Sequence, residues 1–179
     1  MNVEHLTIVV PPNMELRPVC EGDHEWLVEL HNDPEVLRNL RNPTPITISD
    51  HRSWWNQISK NTKQLRLIFT VDGERVGFVK FCDLDFVNNN CEIGADIHKD
   101  HRGKGYAKFM WTLMLEKCFG EFAFHRVVLC TASFNRIALS VYSKLGFEVE
   151  GRQHEILFRD GTYHDGVWMY MLRDDWDAR

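Results

Sequence analysis

Cys91-Glu92-Ile93-Gly94-Ala95-Asp96-Ile97-His98-Lys99-Asp100-His101-Arg102-Gly103-Lys104-Gly105-Tyr106-Ala107 is the stretch from which the rest of the chain can be read. It opens as a short apolar run with strand character, from Ile93 to Ile97, and crosses a polar, charged loop from His98 to Arg102. Two glycines follow. From Lys108 onward apolar residues recur at helical spacing: Phe109, Met110, Leu113, Met114 and then Cys118. The pattern predicts a strand, a glycine-punctuated loop and an amphipathic helix. The first turn of such a helix has N–H groups with no partner inside the helix. The aligned peptide dipoles add partial positive charge there, which suits phosphate oxygens. Gly103 and Gly105 let the backbone approach an anion without a Cβ in the way, and Arg102 and Lys104 bring full positive charges. The loop is not a Walker loop, because no Gly-Lys-Ser/Thr is present, nor a dinucleotide fingerprint, because Gly-x-Gly-x-x-Gly is absent. Taken alone it also fits a tight strand-to-helix turn carrying two solvated cations.

Working outward, 179 residues suit one domain over 1–179 with a core of its own. Hydrophobic residues make up 44% and charged residues 26%, ordinary proportions for a globular protein. A formal net charge of −5 argues against a nucleic-acid partner, which calls for a basic excess. The five cysteines are scattered singly with no C-x-x-C pair, so they read as reduced thiols in a cytoplasmic protein. No apolar run approaches ~18 residues, so no membrane span is expected, and the start of the chain lacks a signal-peptide pattern.

Leu6 to Val10 is a candidate edge strand stopped by Pro11-Pro12, and Met14 to Val19 is a second. Asp23 is placed to cap a helix with Trp26, Leu27 and Leu30 on one face. Asn32-Asp33-Pro34 restarts the chain into a short helix, Glu35 to Leu40, and Ser49 is placed to cap another over His51 to Lys60. Leu65 to Val71 and Val76 to Phe81 flank Asp72-Gly73, a two-residue hairpin signal. Asn88-Asn89-Asn90 turns into the strand Cys91 to Ile97. Val127 to Thr131 is a strand, and Asn135 to Lys144 is a helix closed by Gly146. Phe147 to Phe158 and Val167 to Leu172 pair across Arg159-Asp160-Gly161. The order β-α-α-β-β-β-α-β-α-β-β predicts an α/β (α+β) fold with a mixed, mostly antiparallel sheet flanked by helices.

In that order the motifs resemble the GNAT superfamily of acetyl-CoA-dependent N-acetyltransferases. Its motif Gln/Arg-x-x-Gly-x-Gly/Ala is met by Arg102, Gly105 and Ala107. A second signature, Asn-x-x-Ala-x-x-x-Tyr-x-x-x-Gly-Phe, is met by Asn135, Ala138, Tyr142, Gly146 and Phe147. The resemblance covers roughly residues 13 to 175. The tail from Gly161 to Asp165, with Met169 and Leu172, is similar to the subfamily of ribosomal-protein N-terminal, polyamine and amino-sugar-nucleotide acetyltransferases.

The resemblance implies a splayed strand pair holding acetyl-CoA as cosubstrate, with no metal. It implies that Arg102, Gly103, Lys104, Gly105, Tyr106 and Ala107 hold the diphosphate. The pantetheine arm would run along the backbone of Ile97, and Asn135 and Ala138 would help place the coenzyme. Tyr142 stands where the family's general acid lies, ready to protonate the leaving thiolate. The acceptor also needs a base. A substrate ammonium with a pKa of about 10.4 is neutral only about once in 10³ at pH 7, a cost of roughly 4–5 kcal/mol. Glu92, at the start of the central strand, is the leading candidate; the competing reading is a solvated glutamate at a sheet edge. Asp96 shares its face by the two-residue period and stands in reserve, with His98 as an outside choice. His98 and His101 flank the loop at i,i+3, but no further ligands fall at metal-binding spacing.

Acceptor specificity is expected from Asn32, Glu35, Arg38, Trp54 and Trp55, in the helical excursion that walls the acceptor site in such enzymes. The function this implies is direct acetyl transfer to a primary amine of a small molecule, a polyamine or an amino-sugar nucleotide. The alternatives are acetylation of a protein N-terminal α-amine and a non-catalytic acyl-CoA sensor. The expected partner is the small-molecule amine, and the subfamily leaves room for a homodimer.

Overall fold

A computed structural model describes residues 8–178 and places seven strands in one sheet, in the order β1-β2-β3-β4-β5-β7-β6. The strands are β1 (Met14–Pro18), β2 (Leu65–Val71), β3 (Glu74–Asp85), β4 (Asn90–Ile97), β5 (Arg126–Ala132), β6 (Glu148–Arg159) and β7 (Thr162–Leu172). The helices are α1 (His24–His31), α2 (Pro34–Asn39), α3 (Ile48–Ile58), α4 (Tyr106–Glu116), α5 (Arg136–Lys144) and the short α6 (Arg173–Asp177). Every neighbouring pair is antiparallel except β4 with β5, so the mixed, mostly antiparallel sheet expected from the element order is what forms. Leu6 and Thr7 of the proposed first strand fall outside the described residues, and Ile8 to Val10 are not in a strand.

The parallel pair sets the site. β4 and β5 are joined only at Asn90↔Arg126, Cys91↔Val127 and Glu92↔Val128. Beyond Glu92, β4 stays paired with β3 as far as Ile97↔Gly77, while β5 stays paired with β7 as far as Ala132↔Gly166. The two strands therefore part at Glu92 and leave a gap in the sheet. β4 runs from that gap through a 3₁₀ turn (Lys99–His101) into α4, so the glycine loop follows the open end of the strand pair.

Two hairpins were legible from Asp-Gly pairs. Asp72-Gly73 and Asp160-Gly161 both have positive φ at both residues (52° and 79°; 52° and 77°), the twist that two-residue hairpins need. The second turn brings β6 and β7 together at Arg159↔Thr162, so β7 starts five residues earlier than the pattern predicts, while β6 keeps its expected length. One face of the sheet is filled from α4 and α5: Met110, Met114 and Leu115 pack with Phe69, Phe81, Ile93, Leu129 and Met169, all at most 2% exposed.

Two predicted caps are corrected. Thr47, not Ser49, caps α3: its hydroxyl accepts from the Asp50 N–H, while the Asp50 carboxylate accepts from the Thr47 N–H at 2.9 Å. This reciprocal pairing satisfies two donors at once, which a lone serine two residues later cannot. Asp23 stands at the start of α1 but does not cap it. Its buried carboxylate accepts from Arg17 at 2.7 and 2.9 Å and from the Cys20 N–H at 2.8 Å. Burial alone would raise its pKa; those donors outweigh burial and hold it well below the usual carboxylate range.

Candidate active site

A cavity of about 380 Å³ opens where β4 and β5 part. β3 contributes Lys80 and Cys82, β4 contributes Glu92 to Asp96, β5 contributes Cys130 to Ala132, and α5 contributes Asn135 and Tyr142. Asn39 to Arg41 and residues of β6 and β7, among them Gln153 and Trp168, complete the wall. The strand parting thus brings Glu92 and Tyr142, 50 positions apart in the chain, to one enclosed space.

Glu92 is half-buried and makes no hydrogen bond or ion pair among the described residues. Burial pushes its pKa up, repulsion from Asp83 adds to this, and the positive charges of Lys80 and Arg41 oppose it. A carboxylate in that state binds a proton more readily than one in water, which suits proton abstraction. The Tyr142 ring packs against Trp111, with centroids 4.8 Å apart, and against Phe147 at 6.1 Å. Burial, then the charges of Asp96 and Cys130, push the phenol well above its usual range. Like any phenol it is protonated at neutral pH and has a proton to donate, one that burial makes it hold more tightly.

Asp96 is tied to Lys80, with Nζ to Oδ2 at 2.8 Å. Gly94 faces Lys80 across the β3–β4 ladder, with regular register on both sides and no bulge. A Cβ there would meet the Lys80 Cε at 3.4 Å, so the lysine passes close over the glycine on its way to the aspartate. Lys80, Cys82, Cys130 and Gln153 were missed from the sequence. The two-residue period of β3 groups Lys80 with Cys82 and Phe78, but only the ladder shows which face meets the gap.

The glycine loop meets its backbone expectation. Gly103 and Gly105 have φ of 75° and 78°, a region that L side chains rarely adopt, and both stand in open space. Among the described residues no backbone carbonyl outside the helix takes up an N–H between Gly103 and Ala107. Lys104 is exposed and forms no ion pair among the described residues, and Tyr106 tilts toward the His101 ring at 6.3 Å. These residues edge an open surface and line neither the first cavity nor the second described below.

Arg102 departs from the expectation of a cation turned toward a phosphate. Its guanidinium donates to the Ile97 carbonyl (3.0 Å), to Asp33 (2.8 Å) and to Glu35 (2.6 Å). Asp33 in turn caps α2, accepting from the Glu35 and Val36 N–H groups. Arg102 therefore fastens the end of β4 to the start of α2, and the loop's free charge comes from Lys104. Asn135 caps α5 by accepting from the Ala138 N–H at 3.2 Å. It lines the cavity, while Ala138 does not.

Most of the expected acceptor wall is fastened elsewhere. Asn32 is pinned to both backbone groups of Ile46, at 2.8 and 2.9 Å, and Glu35 is held by Arg102. Arg38 pairs with Asp160 at 2.6 Å and lies 4.4 Å over the Phe134 ring. Trp55 packs with His24 and His51 outside both cavities. Only Trp54 of the five lines a cavity, the second one. His98 is buried and stacked on Trp26, and it lines neither. No cluster of three or more metal-ligating side chains forms among the described residues. No helix among them is long and apolar enough to cross a membrane.

Comparison with known proteins agrees with this geometry. Residues 13–148 match the family described as the acetyltransferase (GNAT) domain. The chain belongs to that family, and it is an acetyltransferase of the N-acetyl type. It is 30% identical over 166 residues to an N-acetyltransferase of Bacillus subtilis described as SPbeta prophage-derived and uncharacterized, YokL, covering 92% of this chain and 93% of that one. It is 24% identical over 166 residues to the spermidine N(1)-acetyltransferase of Escherichia coli K12, covering 93% and 89%. The spermidine N-acetyltransferase of Vibrio cholerae, solved with CoA and spermine, superposes with a TM-score of 0.87 at 23% identity, covering 93% and 99%. That likeness shows the fold.

Proposed function

We propose that the chain moves acetyl from acetyl-CoA directly onto a primary amine of a small molecule. One observation carries this reading: Glu92 and Tyr142 line a single cavity at the parting of β4 and β5, the first primed to take a proton and the second holding one to give. Glu92 takes the proton of the acceptor ammonium, directly or through water, as the nitrogen lone pair forms the N–C bond to the thioester carbonyl. Tyr142 hands its phenolic proton to the sulfur as the C–S bond breaks, and the second nitrogen proton, lost as the amide forms, returns to the phenolate directly or through water. No covalent enzyme intermediate is needed. Cys91, nearest in sequence, is buried in the core 3.7 Å from the Cys118 sulfur.

In this reading the backbone from Gly103 to Ala107, with Lys104 beside it, binds the coenzyme diphosphate, and the pantetheine arm lies along β4 toward Ile97. Arg102 serves by fixing α2, and Asn135 by setting the start of α5 under Tyr142. The spermidine acetyltransferases among the relatives make a polyamine the first acceptor to assay, ahead of an amino-sugar nucleotide. The unpaired thiols fit a cytoplasmic enzyme.

The test is thiol release from acetyl-CoA with spermidine, an amino-sugar nucleotide, an alanine-terminated peptide and simple primary amines. Amine-dependent release with a small molecule supports the proposal. Release with the peptide alone would make the chain a protein N-terminal acetyltransferase. Coenzyme binding with no release for any amine would make it a sensor.

A further inference from the structure

A second cavity, of about 440 Å³, adjoins the first and shares Leu40, Lys80 and Asp96 with it as walls. Its remaining surface is mostly apolar: Leu27, Leu30, Val36, Ile46, Trp54 and Phe78. Two carboxylates reach it, one ion-paired and the other, exposed, hydrogen-bonded to neutral groups. Asp96 is held by Lys80 at 2.8 Å, and Asp50 accepts from the Thr47 N–H and hydroxyl at 2.9 and 2.7 Å. His51, also in the wall, lies 3.0 Å from the buried His24 ring, and burial together with that neighbour pulls its pKa down to about 4, so it is neutral near pH 7.

The second and third ammonium groups of a polyamine entering this chamber would shed water to face Asp96, already paired with Lys80, and Lys80 would repel them; Asp50 could meet an ammonium only from its exposed position. An apolar group meets the opposite situation, because its burial is favourable in proportion to the area removed from water. A cavity of ~150 Å³ already accommodates benzene, so this one has room for an aryl or branched alkyl group with its linker.

We propose that the second chamber is the acceptor's specificity pocket and selects small primary amines that carry a single positive charge and an aryl or branched alkyl group. This rests on the acetyl-transfer reading above. The amine lies at the shared wall, within reach of Glu92, and its apolar body fills the chamber behind Lys80 and Asp96. Kinship points toward polyamines; the lining of this chamber points away from them.

Steady-state kinetics with acetyl-CoA and phenethylamine, 3-methylbutylamine, ethylamine and spermidine decide it. The expected result is a kcat/KM for phenethylamine or 3-methylbutylamine at least tenfold above that for spermidine. Ile46→Trp, which fills the chamber, should cut the phenethylamine value at least tenfold more than the ethylamine value. Trp54→Glu, at a partly exposed position, supplies a free carboxylate should the first variant fail to fold. It should shift the phenethylamine-to-spermidine ratio at least tenfold toward spermidine. Preference of the unaltered protein for spermidine overturns the pocket assignment while leaving acetyl transfer intact, and so does an unchanged ratio in Trp54→Glu. Absence of turnover with every amine, despite coenzyme binding, overturns both readings.

Discussion

The glycine loop and the excursion carrying α1, α2 and α3 handle charge in opposite ways. At the tip of α4 the backbone is bare, Lys104 is exposed without an ion pair among the described residues, and both glycines stand in open space. In the excursion most of the charged groups are held within the fold. Arg102 binds Asp33 and Glu35, Arg38 binds Asp160, and Asp50 serves its own helix cap. What faces the second cavity there is mostly apolar, with His31, Asp50 and His51 among it. A surface left open with unspent donors is arranged to receive an anion. A surface whose charges are internally matched is arranged to hold its own shape and offer shape to a ligand.

The largest expected effect lies in the cavity at the strand parting. Tyr142→Phe removes the proton donor while keeping the ring packed on Trp111. It should lower kcat by about 10²-fold or more, the range of general acid catalysis, while coenzyme affinity by calorimetry stays within about twofold. Full turnover would end the assignment of Tyr142 as acid.

The next effect separates the two cations of the loop. Lys104→Glu should weaken coenzyme binding by about tenfold, less at high salt as screening grows. Arg102→Ala should affect coenzyme binding less than that. It should instead raise the KM for the amine and lower the melting temperature, because α2 loses its anchor. A partly exposed double ion pair is worth about 1 kcal/mol, or roughly 2–4 °C in a chain of this size. If Arg102→Ala proves the worse coenzyme binder, Arg102 does serve the phosphate and the contrast between the regions fails.

The pH profile sharpens the account of Glu92. As base it must be ionised, so kcat/KM should fall as pH drops through its pKa. That midpoint should lie above the ordinary glutamate value of about 4.3, since burial raises it. Glu92→Gln should flatten this limb; a limb that persists unchanged would pass the role to Asp96. The smallest effect concerns stability. A carboxylate whose pKa is raised by folding stabilises the native state below its unfolded pKa and loses that contribution as pH rises through the folded value. Ionised Glu92 is thus a mild burden at neutral pH, and Glu92→Gln should raise the melting temperature by about a degree, an increment that should vanish in acid.

Local signals carried the fold well. Asp72-Gly73 and Asp160-Gly161 announced their hairpins because positive φ at both positions restricts the residues that fit. Asp33-Pro34 announced α2 because an aspartate cap and a proline at the first helical position act within four residues. Ser49 and Asp23 misled because several side chains nearby can cap, and which one does so depends on its partners. Thr47 had Asp50 to reciprocate, whereas Asp23 had a buried claim from Arg17. The acceptor wall was the hardest part to read. Asn32, Glu35 and Arg38 look available in a list of residues, yet each is satisfied by Ile46, Arg102 or Asp160, the last 122 positions away.

The chain's letters alone indicated most of the strands and helices and the glycine-bent loop before α4, and family resemblance singled out Tyr142 and Glu92 as candidates for acid and base. Each rests on backbone geometry or on residues close together in the chain. The folded molecule decided where β4 and β5 part, that Lys80 crosses Gly94 to reach Asp96, that Arg102 turns to α2, and that an apolar chamber lies behind the reacting groups. Those outcomes depend on strand register and on partners distant in sequence. A side chain's free energy depends on which distant group reaches it first, and no local pattern records that competition.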